Sequence, residues 1–102
     1  MEKQIVLYAE FTARPGARAE VETLIRTYAD AVQAEPGNIV FDVYTRAEAP
    51  DRFVVFEVYR DRPAFDSHIG AAEGAAFNRA LGPLIVGGAS ELSFLDLLEA
   101  AL

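Results

Sequence analysis

Cysteine and tryptophan are absent from this 102-residue sequence, and histidine occurs only once, at His68. Without cysteine the chain can form no disulfide, no thiolate nucleophile and no zinc–thiolate centre. A single imidazole excludes a metal site with several histidines within one subunit. Basic residues are also few, with 9 Lys and Arg against 16 Asp and Glu, giving a formal net charge of -7. This balance argues against nucleic acid or an anionic membrane as a partner, since both attract basic patches.

Long apolar runs and targeting signals are absent too. No run approaches the roughly 20 residues that span a bilayer, and the N-terminal residues lack the pattern of a signal peptide. We therefore expect a cytoplasmic protein with no membrane partner, folded as one domain over residues 1–102. The hydrophobic content of 52% is high for a small domain. The excess favours an apolar surface shared with another subunit.

Residue periodicity divides the chain into alternating strands and helices. Period-two patterns predict strands at residues 4–13, 39–45, 52–59 and 90–97. Apolar positions three and four apart predict helices at residues 17–34, from an Asp61 cap to about residue 69, and at residues 75–84. Gly70 and Gly74 are expected to break the second helical stretch. The order β-α-β-β-α-β predicts a ferredoxin-like α+β fold with a four-stranded antiparallel sheet.

The strand at residues 52–59 is apolar on both faces. Phe53 and Val55 point to one side, and Val54, Phe56 and Val58 point to the other. Strands buried on both faces have this pattern, yet the helices of one chain can cover only one face. We therefore predict a two-fold homodimer in which two sheets pack face to face.

Two titratable residues on neighbouring elements are the candidate catalytic pair. His68 lies on the helix that follows Asp61, and Glu57 interrupts an apolar strand. An imidazole titrates near neutral pH and can accept a proton from a phenol or enol. A carboxylate on an apolar sheet face needs a partner, which could be His68, an arginine or a ligand. Both residues could equally be structural, with ordinary hydrogen bonds.

Six further residues are candidates for substrate binding. Tyr44 and Tyr59 lie at strand ends, where tyrosine more often packs with its hydroxyl in water. Asn38 follows Gly37 and would most simply serve a turn. Three phenylalanines would normally belong to the core, although an aromatic wall suits a flat apolar ligand. These are Phe41, Phe65 and Phe77.

The motif residues resemble the antibiotic biosynthesis monooxygenase family across nearly the whole chain. The resemblance rests on Glu35-Pro36-Gly37-Asn38, Phe41, Val43-Tyr44, Phe53, Glu57, Tyr59, Asp61, Ala64 and His68, with Phe11, Gly16, Pro83-Leu84 and Gly88 outside them. It implies a dimeric α+β barrel. It also implies a reaction with dioxygen that needs no cofactor, although the family includes haem-degrading and isomerase members.

Two departures from the family pattern limit the reaction. Glu73 stands where many members carry a second histidine, and the missing tryptophan argues against haem degradation. No Gly-x-Gly-x-x-Gly fingerprint for a dinucleotide is present. The resemblance thus implies a monooxygenase without flavin, haem or metal that acts on a small phenol, quinol or anthrone-like compound. The alternatives are an isomerase or tautomerase with the same base, and a protein that only binds an apolar metabolite.

Overall fold

Four strands and three helices make up the fold, and the computed structural model describes residues 3–100. Residues 1, 2, 101 and 102, which the one-domain prediction includes, lie outside the described residues. The strands are β1 (Ile5–Thr12), β2 (Asn38–Arg46), β3 (Ala49–Tyr59) and β4 (Glu91–Leu95). The helices are α1 (Arg18–Gln33), α2 (Arg62–Ile69) and α3 (Ala72–Leu81), and a short 3-10 helix covers Gly82–Leu84.

The strands form one antiparallel sheet in the order β2-β3-β1-β4. The sequence prediction of a ferredoxin-like α+β fold is therefore confirmed. One side of the sheet, which we call the inner face, carries buried residues of β1 and β3 and packs against the buried side chains of α1. The opposite side, the outer face, carries the alternate residues of these strands. Within residues 3–100, no helix is long and apolar enough to span a membrane.

The second helical region breaks only once, between α2 and α3. Asp61 caps α2 by accepting a hydrogen bond from the Ala64 backbone N–H at 2.9 Å, and Gly70 ends this helix. The expectation that Gly74 also breaks the helix is wrong, because Gly74 lies within α3. A Cβ at Gly74 would come within 3.0 Å of the Tyr28 hydroxyl, so close packing against α1 accounts for this glycine.

One extra residue near the start of β2 shifts its pairing with β3. Asn38 pairs with Tyr59, while Val40 pairs with Val58, so Ile39 has no opposite residue. This β-bulge reverses the alternation of side chains beyond it. Phe41 consequently lies opposite Glu57 on the inner face.

Candidate active site

A cavity of about 130 Å³ lies between the inner face of the sheet and the three helices. Its wall is mostly apolar and includes five phenylalanine and tyrosine side chains, those of Phe11, Tyr28, Phe41, Phe65 and Phe77. The polar groups among its lining residues come from Tyr28, Glu57, His68, Asn78 and Ser90. An apolar pocket with a few polar groups is the usual form of a small-molecule site.

His68 projects from α2 and has a carboxylate on each side of its ring. The side chain is 8% exposed, and its Nδ1 lies 3.1 Å from Oε1 and 3.2 Å from Oε2 of Glu35. Because a carboxylate can only accept hydrogen bonds, this contact favours the Nδ1–H tautomer whenever the ring is neutral. This arrangement leaves the lone pair at Nε2, the nitrogen that a substrate proton would reach.

Glu57 lies on the Nε2 side of the imidazole. Its Oε1 is 3.8 Å from Nε2, beyond hydrogen-bond distance, and accepts a 2.7 Å hydrogen bond from the Tyr59 hydroxyl. Glu57 is 5% exposed. Burial raises the pKa of this carboxyl, and the Tyr59 hydroxyl and the nearby His68 oppose the rise. Burial and the Glu57 carboxylate raise the pKa of Tyr59 in turn, so this hydroxyl remains a donor.

A tight turn between α1 and β2 holds Glu35 beside His68. Gly37 packs so closely on the first turn of α2 that an added Cβ would overlap the Cβ of Ala64. The Gly37 carbonyl accepts a 2.8 Å hydrogen bond from the Arg60 backbone N–H. Because positive φ values occur only at Gly16, Gly87 and Gly88 within residues 3–100, close approach rather than backbone conformation explains this glycine.

Tyr28 reaches the cavity from α1. Its ring stacks on Phe77 at a centroid distance of 4.3 Å and meets Phe41 edge-on at 5.7 Å. The centroid of the His68 ring lies 6.3 Å away. Burial, together with the charges of Glu35, Glu57 and Glu73, raises the pKa of Tyr28 to about 12. The hydroxyl therefore stays protonated at neutral pH.

The structure brings five of the eight candidate residues to this cavity. Its lining includes both members of the catalytic pair and the three phenylalanines, namely His68, Glu57, Phe41, Phe65 and Phe77.

Three predicted substrate-binding residues do not line the cavity. Tyr59 is fully buried, and its hydroxyl donates a hydrogen bond to the Glu57 carboxylate. The Asn38 side-chain amide donates to the Val40 carbonyl at 2.9 Å and so spans the bulge. Tyr44 pairs with Val54 on the outer face and is 55% exposed. The binding role expected of these side chains is not favoured by their positions.

Two residues of the site were not among the sequence candidates. Glu35 belongs to the Glu-Pro-Gly-Asn motif, but it lies 33 residues from its partner His68. Tyr28 belongs to the apolar stripe of α1, which indicates burial and nothing more specific. Within residues 3–100, no group of three or more His, Cys, Asp or Glu residues is arranged to hold a metal ion.

Comparison with known proteins agrees with this fold. A family model described as antibiotic biosynthesis monooxygenase matches residues 4–80. The protein Rv0793 of Mycobacterium tuberculosis is 31% identical over 85 residues, which are 83% of this chain and 83% of that protein. The solved structure of Rv0793 aligns at 28% identity with a TM-score of 0.87, covering 98% of this chain and 100% of that one.

More distant solved structures share the fold. PA3566 from Pseudomonas aeruginosa aligns with a TM-score of 0.86 at 24% identity, covering 97% of this chain and 98% of that one. SnoaB from Streptomyces nogalater, described as a cofactor-independent oxygenase, aligns with a TM-score of 0.83 at 21% identity, covering 95% of each chain. The family model spans well over half of the described residues and agrees with the motif resemblance. The chain therefore belongs to the antibiotic biosynthesis monooxygenase family.

Proposed function

We propose that this protein is a cofactor-independent monooxygenase of a small phenol or quinol, with His68 as the general base. The observation that carries the proposal is the imidazole itself, held at Nδ1 by Glu35 while Nε2 lies at an aromatic-walled cavity. Family membership supports an oxygen-dependent reaction. The shared fold with SnoaB, a cofactor-independent oxygenase, is consistent with that reading.

The chemistry begins with a proton transfer. Nε2 of His68 takes the phenolic proton, and the resulting phenolate places electron density on a ring carbon. Dioxygen forms a bond to that carbon as the anion supplies the electrons. The peroxide anion then takes the proton back from His68. His68 then removes the hydrogen on the same carbon as a proton. The electrons of the C–H bond form the new carbonyl, and the O–O bond breaks. The departing hydroxide takes that proton from His68 and leaves as water. Phenol and dioxygen thus give a quinone and water.

Glu35 and Glu57 have different roles in this scheme. Glu35 fixes the Nδ1–H tautomer and the ring orientation, as a carboxylate does for a catalytic histidine in other enzymes. Glu57 lies 3.8 Å from Nε2 and stabilises the imidazolium that forms when the proton arrives. Tyr59 holds the Glu57 carboxylate in place through its 2.7 Å hydrogen bond. His68 ends the cycle in its starting protonation state.

Oxygen consumption tests the proposal directly. Purified protein, free of metal and flavin, is mixed with single-ring phenols, hydroquinones and anthrones in an oxygen electrode. We expect His68→Ala to lower the rate by about 10²- to 10⁴-fold, the usual contribution of a general base. Asp66→Asn, an exposed change on the same helix, is the matched control. Equal rates in the wild type and His68→Ala would contradict the role of His68. Conversion without oxygen uptake would favour an isomerase, and binding without conversion would favour a carrier.

We also propose that the protein is cytoplasmic and that it is a homodimer joined through the outer face of the sheet. Val6, Val54 and Phe56 share that face by strand alternation, and all three are partly exposed in the single chain. Association of two copies would remove this apolar surface from water. Light scattering should return about twice the 11.1 kDa chain mass at low micromolar concentration. A single-chain mass would contradict the dimer, and Phe56→Lys should produce one.

A further inference from the structure

The hydroxyl of Tyr28 is available to a ligand. Among the described residues, no side chain or backbone group forms a hydrogen bond with it. No buried side-chain oxygen or nitrogen there lacks a partner, so this hydroxyl is accessible to solvent, whereas the Tyr59 hydroxyl donates to Glu57. The Tyr28 ring itself is fixed by stacking on Phe77 and by the edge contact with Phe41. Tyr28 is half-buried, and its fixed ring presents an accessible hydroxyl at the cavity, where a polar ligand can replace the water that would otherwise contact it.

The cavity also limits the size of that ligand. An apolar cavity of about 150 Å³ accommodates one benzene molecule. The cavity here is about 130 Å³, and its walls are closely packed aromatic rings. A single six-membered ring is comparable in size to this space, while most of a three-ring anthrone would extend beyond it towards the exposed side chains of Ile69 and Leu92.

We propose that Tyr28 and His68 together bind the oxygen of a one-ring phenol, with His68 Nε2 accepting its proton and the Tyr28 hydroxyl donating to the phenolate that results. The two rings border the same cavity with centroids 6.3 Å apart, which places both within reach of one bound ring. A donor aimed at a developing anion stabilises the transition state in which that charge forms. This inference rests on the proposed oxygenase and names its substrate class.

Gly74 provides the space that the Tyr28 hydroxyl occupies. A Cβ at this position would lie 3.0 Å from that hydroxyl oxygen and 4.0 Å from the ring carbon that bears it. Gly74→Ala therefore displaces the hydroxyl without removing it. Tyr28→Phe removes the hydroxyl without displacing the ring. The two substitutions separate the hydrogen bond from the shape of the cavity.

Ligand binding under argon tests the inference without turnover. Fluorine NMR titrations use 4-fluorophenol and fluorobenzene, which differ by one hydroxyl, against the wild type, Tyr28→Phe and Gly74→Ala. Tyr8→Phe, a tyrosine on the outer face, is the matched control. We expect Tyr28→Phe to raise the Kd of 4-fluorophenol by about fivefold, the usual contribution of one hydrogen bond, and to leave the Kd of fluorobenzene unchanged. Gly74→Ala should also weaken the binding of 4-fluorophenol, and Tyr8→Phe should leave the Kd of both ligands unchanged.

Three results would overturn the inference. These are no saturable binding of 4-fluorophenol, an unchanged Kd in Tyr28→Phe, and an equal loss for both ligands in that variant. The proposed function can fail separately. If the hydroxyl-dependent difference is present but no phenol supports oxygen uptake, the binding site stands and the oxygenase does not.

Discussion

Gly37→Ala should damage the protein through a single contact, that between the Glu35-Pro36-Gly37 turn and α2. The new methyl group would overlap the Cβ of Ala64, a rigid atom in the first turn of the helix. Overpacking of this kind costs about 1–3 kcal/mol of folding free energy. In a domain of about 100 residues this corresponds to a fall in Tm of roughly 4–8 °C for each kcal/mol.

A double-mutant cycle isolates that contact. Ala64→Gly removes the methyl group on the other side and alone costs about 1 kcal/mol, as glycine does within a helix. If the overlap is the cause, Gly37→Ala should cost less in the Ala64→Gly background than in the wild type, where only the Cα of residue 64, 3.3 Å from the added Cβ, stays close. The coupling free energy should then be at least about 1 kcal/mol. Gly70→Ala at the other end of α2 is the control, because an added Cβ there meets nothing closer than 3.5 Å.

Urea unfolding of the four proteins measures the cycle, and NMR of the single histidine shows the effect on the site. Because Glu35 lies two residues before Gly37, displacement of the turn should also disturb the hydrogen bond to His68 Nδ1. The ¹⁵N signals of the imidazole need no assignment, since the chain has only one histidine. Strict additivity in the cycle would refute the close-approach explanation of Gly37.

Two further substitutions address the carboxylates on either side of His68. Glu35→Gln keeps the side-chain shape but removes the obligatory acceptor, so ¹⁵N NMR should show the Nε2–H tautomer gaining population, and oxygen uptake should fall. An unchanged tautomer would contradict the role of Glu35. Burial raises the Glu57 pKa above its ordinary 4.5, so the folded state binds this proton more tightly than the unfolded chain. Stability from this group is therefore full below pH 4.5 and is lost as the pH rises through the folded-state pKa. As the pH rises through this range, the free energy of unfolding of Glu57→Gln should increase relative to that of the wild type. Urea unfolding at several pH values measures this difference, and no pH-dependent difference would mean that the Glu57 pKa is not raised.

The sequence predicted the elements well because their periodicities are clear. The two breakers Gly70 and Gly74 look alike in the sequence, yet one ends α2 and the other lies within α3 against Tyr28. Only the packing partner distinguishes them. Strand alternation puts Glu57 on the same face as Val55 and Tyr59, and the pairing of β1 with β3 agrees with it.

The site was predicted less completely because its contacts are far apart in sequence. Glu35 and His68 meet across 33 residues, and no local pattern records that contact. The sequence alone could have shown that Tyr44 does not share a cavity with Phe41. Tyr44 lies three residues from Phe41, so regular strand alternation puts the two side chains on opposite faces. Tyr28 could not have been found, since the stripe of α1 gives the same signal for every buried position.

The bulge at Ile39 allows β2 to lose one residue without exchanging the two faces of the strand. Deleting one residue from a strand usually exchanges the two faces for everything that follows. Here Ile39 has no opposite residue, so a chain without it can keep Asn38 opposite Tyr59 and Phe41 opposite Glu57. Relatives one residue shorter at this point would present the same aromatic wall to the cavity. Natural variation in strand length can accumulate at this position without changing what the site contains.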